Sequence, residues 1–213
     1  MNRTSGEYQP VEYLQFRPST AWQVTRAVAG VLTWPLVLPL ALLGRLSEIM
    51  FRTVSEMLSQ APYAIGIVLR AEFYRFTLRR CGQNVIIEFG TVFCYRDVSL
   101  GDHVLLGRYT VVHHCDFGSY VLVGEHCTFL SGSRQHGIDE FDRPMALQQG
   151  YRKRIHVADN VWIGAHSVIM EQVETGAVVG AGSVVNRPVE SNTIVAGNPA
   201  KAIRRRDATR SST

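Results

Sequence analysis

Histidine is the side chain best suited to proton transfer at neutral pH, and the sequence contains seven histidines. His136 lies in a polar stretch, residues 131–154, that interrupts an otherwise apolar and repetitive half of the chain. His113 and His114 form a pair within the repetitive part. A loop on a rigid scaffold is where function tends to concentrate, so His136 is a candidate general base; a solvated loop histidine is the alternative.

The scaffold that must position these histidines changes character near Cys81. Between Ala21 and Arg80 the chain has only three glycines, and its apolar residues run in long stretches compatible with helices. After Cys81, glycine recurs at short intervals among valine, isoleucine and leucine. We predict an N-terminal helical segment over 1–80, a β domain over 81–186 with an excursion loop at 131–155, and a C-terminal extension and basic tail over 187–213.

The second half of the chain repeats every six residues, a period that neither a helix nor an ordinary hairpin sheet explains. An apolar residue followed by glycine recurs at Leu100-Gly101, Leu106-Gly107, Phe117-Gly118, Val123-Gly124, Ile163-Gly164 and Val179-Gly180. Other members of the apolar track are Cys81, Ile87, Phe93, Val112, Phe129, Val157, Ile169 and Val185.

Each six-residue unit would supply one short strand and one turn, with its apolar residue pointing inward. Three units make a triangular coil, and stacked coils bury a continuous apolar axis. The spacing slips after Phe93, Val112 and Ile169, so the repeat is imperfect. An antiparallel sandwich is disfavoured, because its turns usually come every 8 to 12 residues.

The C-terminal part of the repeat resembles the signature of the hexapeptide-repeat acetyltransferases. The motifs are DNVWIGA (Asp159–Ala165), VVGAGSVV (Val178–Val185) and AGNPAKAIR (Ala196–Arg204). This resemblance, to sugar O-acetyltransferases of the maltose, galactoside and xenobiotic acetyltransferase type, covers the chain from about Cys81 onward. It implies a left-handed parallel β-helix, a homotrimer and acetyl-CoA as cosubstrate. The shortened segment QVETGAVVGAGS departs from the pattern, and we expect a distorted coil there.

The resemblance also implies roles for individual histidines. In sugar and xenobiotic acetyltransferases of this type, a loop at the place of His136 carries the catalytic histidine. The segment VHHCDFGSYVLVG instead resembles the sialic acid and bacillosamine acetyltransferases, in which the equivalent of His113 transfers the proton. Both assignments stay open, and we expect a structural role for His114. The carboxylates that could orient His136 are Asp139, Glu140 and Asp142, and structural roles are expected for His103, His126, His156 and His166.

Carried over residue by residue, the family pattern places the cofactor along the last coils. Ala165 and Ala181 would offer backbone groups to the pantetheine arm, and Trp162 would flank that channel or pack. Asn186 and Arg187 stand where relatives have Thr-Lys near the nucleotide. Adenine and phosphates, which require cationic side chains, would meet Pro199, Lys201 and Arg204. Arg205 and Arg206 are expected to belong to a solvated tail.

Residues 27–44 form an uncharged apolar run of eighteen residues that contains Pro35 and Pro39. Its length is at the lower limit for a membrane span, and the prolines would kink a helix. A bent monotopic insertion, a true span and a helix packed on the trimer all stay open, with the first favoured. Arginines recur among the apolar clusters that follow, as in an interfacial helix, so residues 21–80 are expected to contact a membrane surface.

The bulk composition limits the partners and the compartment. A net charge of +4 suits phosphates or a membrane surface, and no nucleic acid is implied. The start of the chain lacks a signal-peptide pattern, and four dispersed cysteines suit reduced core residues, so a cytoplasmic domain is expected. An acceptor saccharide held by the membrane, for example lipid-linked, would explain an anchor. The alternatives are a xenobiotic or small-molecule acetyltransferase, a zinc hydratase of the γ-carbonic anhydrase type using His113, His114 and His136, and a non-enzymatic scaffold; no metal is favoured.

Overall fold

The computed structural model describes residues 20–206, apart from the side chains of residues 21 and 22. The expectations for residues 1–19 and for the tail from 207 lie outside the described residues. Three helices come first: α1 (Thr20–Leu46), α2 (Glu48–Ser59) and α3 (Tyr63–Thr77). The Ser47 hydroxyl caps α2 by accepting a hydrogen bond from the Met50 N–H at 3.2 Å.

A parallel β-solenoid follows, built from three sheets that form its three faces. Face A contains β1 (Arg80–Cys81), β4 (Ser99–Leu100), β7 (Cys115–Phe117) and β10 (Ile155–Val157). Face B contains β2 (Ile86–Ile87), β5 (Leu105–Leu106), β8 (Leu122–Val123), β11 (Trp162–Ile163), β13 (Val178–Val179), β15 (Thr193–Ala196) and β16 (Lys201–Arg205). Face C contains β3 (Val92–Phe93), β6 (Val111–Val112), β9 (Thr128–Phe129), β12 (Val168–Ile169) and β14 (Val184–Val185). Every pairing is parallel except that of β16 with β15.

The predicted inward track is confirmed. On face B the parallel register aligns the second residue of each strand through successive coils: Ile87, Leu106, Val123, Ile163, Val179 and Val195. These six side chains are at most 5% exposed. Burying a branched aliphatic side chain contributes about 1.5–3 kcal/mol, so the stacked columns supply most of the driving force for the fold.

Every slip in the six-residue spacing falls at the same corner, between face C and the next strand of face A, which we call corner CA. The other two corners keep the six-residue step. The expected distortion near QVETGAVVGAGS is limited to this corner, because Val173 takes the inward position that spacing alone did not identify. Val173 is 1% exposed and bridges Val157 and Val189 of the neighbouring coils. The short corner therefore leaves the later coils in register.

The outward side chains differ between faces. Those of face A are polar or charged, and include Arg80, Ser99, Asp116 and His156. Those of face B are apolar, namely Ile86, Leu105, Leu122, Trp162, Val178 and Ile194. Those of face C are mostly apolar as well, namely Val92, Val111, Thr128, Val168 and Val184. Faces B and C thus have the composition of surfaces that become buried on assembly.

Three histidines lie at corners of the solenoid and have left-handed backbone conformations. His103, His126 and His166 have φ values of 58°, 55° and 59°. His126 and His166 stack with ring centroids 4.9 Å apart, and His103 stacks on Tyr120 at 4.6 Å. These rings therefore form columns along the corners, and a structural role for them remains a prediction.

The helices cover the N-terminal end of the solenoid. α1 packs on α2 and α3, which in turn pack on β1, β2 and β3 of the first coil. Within residues 20–206, one helical stretch, Gln23–Leu46, has the length and apolar composition that a membrane span requires. The four cysteines are free thiols, and burial raises the pKa of Cys81 to about 12, so that thiol is protonated at neutral pH.

Candidate active site

Corner CA of the second coil carries the His113–His114 pair. The tight step from Val112 fixes its backbone, since the His113 N–H donates to Phe129 O at 3.0 Å and the Ile155 N–H donates to His114 O at 3.0 Å. The His114 N–H reaches the buried Ser131 hydroxyl at 3.4 Å. The pair is therefore held by the coil on which the excursion loop begins and by the strand to which it returns.

Tyr95, from the same corner of the first coil, organises the two imidazoles. Its ring stacks on His114 with centroids 4.1 Å apart and meets His113 edge-on at 6.0 Å. The Arg152 guanidinium lies over the Tyr95 ring at 4.9 Å, an arrangement favoured by the negative face of the aromatic system. Neither Tyr95 nor Arg152 was identified from the sequence, because only the stacking of coils brings them to the histidines.

The surroundings of the pair favour neutral imidazole. Partial burial lowers the pKa of His113, and the positive charges of His114, Arg152 and Arg52 lower it further. Partial burial also lowers the pKa of His114, with Arg154 next in effect. A neutral imidazole can accept a proton, so both groups are competent bases at pH 7 in this environment.

A network of salt bridges between side chains lies beside this histidine pair on face A. Asp116 accepts from Arg79 at 2.5 Å and from Arg154 at 3.2 Å, and Arg154 also pairs with Asp97. His156 Nδ1 is 3.7 Å from Asp116 Oδ2. These contacts anchor the end of the excursion loop to corner CA of the first coil, through Asp97, and to β7, through Asp116. They were not predictable from the sequence, because Asp97 and Arg154 are 57 positions apart.

His136 lies on the excursion loop, whose base is closed by backbone pairing. The Lys153 N–H donates to Ser131 O at 2.9 Å and the Tyr151 N–H donates to Arg134 O at 2.7 Å. Further out, the buried Gln148 amide donates to Glu140 O at 2.7 Å and to Arg143 O at 2.8 Å. The loop is thus held as a defined hairpin-like arm rather than an open chain.

At the level of a single chain, His136 projects from this arm into solvent. Among residues 20–206 no carboxylate forms an ion pair with it, and Glu140 pairs with Arg143 at 3.6 Å instead. Within residues 20–206 of one subunit, none of Asp139, Glu140 and Asp142 is therefore paired with His136 so as to orient its ring. Also within residues 20–206, no three His, Cys, Asp or Glu side chains are placed so as to hold a metal ion.

The candidate cofactor residues gather along the later coils. Trp162, 56% exposed on face B, and Arg204 of β16 line one cleft of about 340 Å³ together with Val178 and Ile194. Ala165 and Ala181 occupy the same place at the corner between faces B and C in consecutive coils, linked by the hydrogen bond from the Gly182 N–H to Ala165 O at 2.8 Å.

The remaining cofactor candidates lie at the C-terminal end of the solenoid. Asn186 and Arg187 are exposed directly after β14. Pro199 follows a cis peptide bond in the segment that joins β15 to β16, and Lys201 opens β16. That segment is fixed to face C, because the Ala200 N–H donates to Val184 O at 2.8 Å. The structure therefore brings Trp162 and Arg204 together in one cleft. The other cofactor candidates are distributed over the corner between faces B and C and over the C-terminal end of the solenoid.

The histidine candidates lie at corner CA, whereas Ala165 and Ala181 lie at the opposite edge of face C. Asn186 and Arg187, which follow β14 directly, lie at corner CA of their own coil. Ala165 and Met170 mark the two edges within one coil, and five steps of extended chain between them span roughly 16 Å. A general base must come within hydrogen-bond distance, or one water molecule, of the proton that it removes. One chain on its own therefore does not bring His113 to a donor bound beside Ala165.

Comparison with known proteins identifies the class of scaffold. No family model matches the chain. The chain is 28% identical over 125 residues to the galactoside O-acetyltransferase of Lactococcus lactis, a match that covers 55% of this chain and 58% of that protein. The chain spans about half the length of the curated relatives that it matches.

Solved structures show the same fold. The hexapeptide-repeat-containing acetyltransferase of Vibrio cholerae superposes with a TM-score of 0.64 at 24% identity, covering 75% of this chain and 93% of that chain. The maltose O-acetyltransferase of Clostridium difficile 630 gives 0.64 at 19% identity, over 75% and 88%. A galactoside acetyltransferase in complex with coenzyme A gives 0.63 at 21% identity, over 74% and 82%. The predicted left-handed parallel β-helix and the resemblance to hexapeptide-repeat acetyltransferases are confirmed.

Replacing Arg152 with glutamine is expected to raise the pKa of His113, because loss of a neighbouring positive charge favours the protonated imidazole. If His113 is the base, the acidic limb of the kcat/KM profile moves to higher pH. Arg152→Lys, which keeps the charge, is the control and is expected to keep the wild-type limb. Steady-state rates across the acidic range measure this, and an unmoved limb in Arg152→Gln would assign the proton transfer to another group.

Proposed function

We propose that this protein is an acetyl-CoA-dependent O-acetyltransferase that acts as a homotrimer on a saccharide hydroxyl. The observation that carries the proposal is the division of the site into two halves at the edges of face C, on a scaffold shared with a galactoside acetyltransferase solved with coenzyme A. Packing apolar faces B and C against neighbouring copies would bring the histidine edge of one subunit to the cofactor edge of the next.

In the proposed reaction the acceptor hydroxyl oxygen attacks the thioester carbonyl carbon while a histidine takes the hydroxyl proton. His136, on the projecting arm, is the first candidate for this base, and His113 is the alternative. Collapse of the tetrahedral intermediate breaks the carbon–sulfur bond, and the protonated histidine returns its proton to the departing thiolate. The acetyl ester and free coenzyme A are the products, so the histidine ends in its starting state.

Charge near the histidine pair supports an acceptor that bears phosphate. Arg52 of α2 and Arg152 of the loop both act on His113 electrostatically, and Arg152 lies over the Tyr95 ring beside the pair. Guanidinium groups bind phosphate oxygens with paired hydrogen bonds. Together with the apolar outer surface of α1, this supports a membrane-held saccharide, such as a lipid-linked sugar, approached from the cytoplasmic side where acetyl-CoA is made.

The test is acetyl transfer by the purified full chain. Acetyl-CoA is supplied with a panel of free sugars, sugar phosphates, lipid-linked sugars and small drug-like alcohols, and thiol release and product mass are both measured. We expect thiol release that depends on a saccharide acceptor and a product heavier by one acetyl group. Transfer only to drug-like alcohols would favour the xenobiotic alternative, and absence of transfer to every acceptor, with no coenzyme A binding, would contradict the proposal.

A further inference from the structure

Helix α1 has the geometry of a helix that lies flat on a membrane. We propose that α1 rests in the interfacial plane of the bilayer, and that the solenoid stands end-on to the membrane with its first coil nearest the lipid. This rests on the membrane part of the proposed function and makes it specific. The occupant of the apolar outer face is the lipid bilayer.

Among the three helices that cover the N-terminal end of the solenoid, α1 is the outermost. It packs on α2 and α3, and it is these two helices that pack along β1, β2 and β3. The inner side of α1 is a stripe of mostly small buried residues, Gly30, Val37, Ala41 and Gly44. The fit is close, because a Cβ on Gly30 would be 2.9 Å from Glu72 Oε1.

Both ends of α1 are tied to the first coil of the solenoid. Near its start, the half-buried Arg26 guanidinium donates to the carbonyl of Val85. At its end, Arg96 Nη1 donates to Arg45 O at 2.9 Å. Because the solenoid is on one side of the membrane, both ends of α1 are on that side too, which a spanning helix cannot satisfy.

A polar contact in the middle of α1 agrees with this. Trp34 Nε1 donates to Glu72 Oε2 at 3.2 Å, and Glu72, on α3, also pairs with Arg75 at 3.5 Å. A span would have to leave this carboxylate without its indole partner or carry it into hydrocarbon, where a charged side chain is costly. An in-plane helix keeps the contact on its protein side.

The opposite side of α1 is exposed and apolar along its whole length. Its members lie on one side of the helix and are 53–77% exposed: Val24, Val28, Val31, Leu32, Leu36, Leu42 and Leu46. At 1.5 Å per residue the helix is about 40 Å long. An apolar face of this extent, on a helix without charge from residue 27 to residue 44, has the composition of a helix half-immersed in lipid.

Two further features fit the interface better than the bilayer centre. Pro35 and Pro39 lie within α1 and are exposed, and each removes a backbone donor, so carbonyls near residues 31 and 35 need water or headgroup partners. The segment 20–80 also contains seven arginines and three glutamates. Arg70 is buried and bonded to backbone carbonyls, and the other six arginines still outnumber the three glutamates. This excess of positive charge complements anionic headgroups.

Vesicle binding tests the outer face. The purified full chain is sedimented with vesicles of phosphatidylglycerol and phosphatidylethanolamine, and the variant Leu32→Glu/Leu36→Glu is expected to lower the partition coefficient at least about 100-fold, since two leucine side chains lose their apolar contacts. Met145→Glu/Leu147→Glu, on the exposed part of the excursion loop, is the matched control and is expected to bind as wild type. Equal binding by all three proteins would overturn the proposal.

Cysteine labelling tests the orientation without charged substitutions in α1. In a Cys81→Ser/Cys94→Ser background, Gln23→Cys and Arg45→Cys are expected to react with an impermeant maleimide in inverted membrane vesicles, and Leu36→Cys is expected to be protected. One end that reacts only after detergent opens the vesicles would show a span and overturn the proposal. The wild-type protein could instead fail to bind vesicles and form larger assemblies that the Leu32→Glu/Leu36→Glu variant does not form. That result would assign the apolar face to contact with a second copy of the chain, and it would also overturn the proposal.

Acetyl transfer to a soluble acceptor is measured on the same preparations. Transfer without vesicle binding would contradict only the membrane geometry. Vesicle binding without transfer would contradict only the proposed function, so the two failures are distinguishable.

Discussion

His136→Ala is expected to lower kcat for acetyl transfer by about 10²–10⁴-fold, the usual contribution of a positioned general base. The side chain is exposed on the loop arm, so its removal is expected to leave the free energy of unfolding within about 0.5 kcal/mol of wild type. Coenzyme A affinity is also expected to be unchanged, because Ala165 and Ala181, the candidates for holding the pantetheine arm, lie at the other edge of face C. Steady-state kinetics, calorimetric binding of coenzyme A and urea denaturation measure the three quantities.

The matched variant is His113→Ala, which separates the two candidate bases. If His136 is the base, His113→Ala is expected to retain most of kcat. The assignment is contradicted if His113→Ala shows the larger loss while His136→Ala remains active. A loss in both variants, with only His113→Ala reduced in stability, keeps His136 as the base and gives His113 a role in supporting the corner.

Gly107→Ala is expected to lower the free energy of unfolding by about 3 kcal/mol, the upper end of the usual range for overpacking. A Cβ at Gly107 would lie 2.6 Å from the backbone carbon of Gly124 in the next coil. Neither atom belongs to a flexible side chain, so the coils must move apart and weaken the inward columns. Urea denaturation at a fixed protein concentration measures the change, since an oligomer's stability depends on concentration.

The control for this substitution is Gly182→Asn. Gly182 has φ +69° and nothing within 4 Å of an added Cβ. Asparagine tolerates this backbone region, and the chain already places Asn84, Asn160 and Asn192 there with φ of 53–57°. We expect a change below about 0.5 kcal/mol. A Gly107→Ala protein as stable as Gly182→Asn would contradict close stacking of the coils.

The sequence predicts the solenoid well because its information is local. Each six-residue unit carries its own inward aliphatic residue, so Leu106 and Ile163 could be placed without knowing which strands pair. Val173 was missed because a four-residue step at corner CA hides it from a six-residue register. Only stacking across all the coils places it on face A, between Val157 and Val189.

The candidate site was only partly predictable, because its contacts are not local. Tyr95, His114 and Arg152 meet because the first coil, the second coil and the loop end at one corner. Motif resemblance located Trp162 and Arg204, but it did not show that they line one cleft. The edge-to-edge separation from the histidines depends on the width of face C, which no motif encodes.

A mixing experiment tests most directly the central claim that each site is shared between subunits. One variant lacks the base, His136→Ala, and the other reverses two charges on the cofactor side, Lys201→Glu/Arg204→Glu; each alone is expected to be nearly inactive. When equal amounts are unfolded, mixed and refolded, about a quarter of the sites in a cyclic trimer receive both intact halves, so about a quarter of wild-type acetyl transfer is expected. Recovery of no activity from correctly assembled mixed trimers would contradict the account, because it would place both halves of the site within one chain.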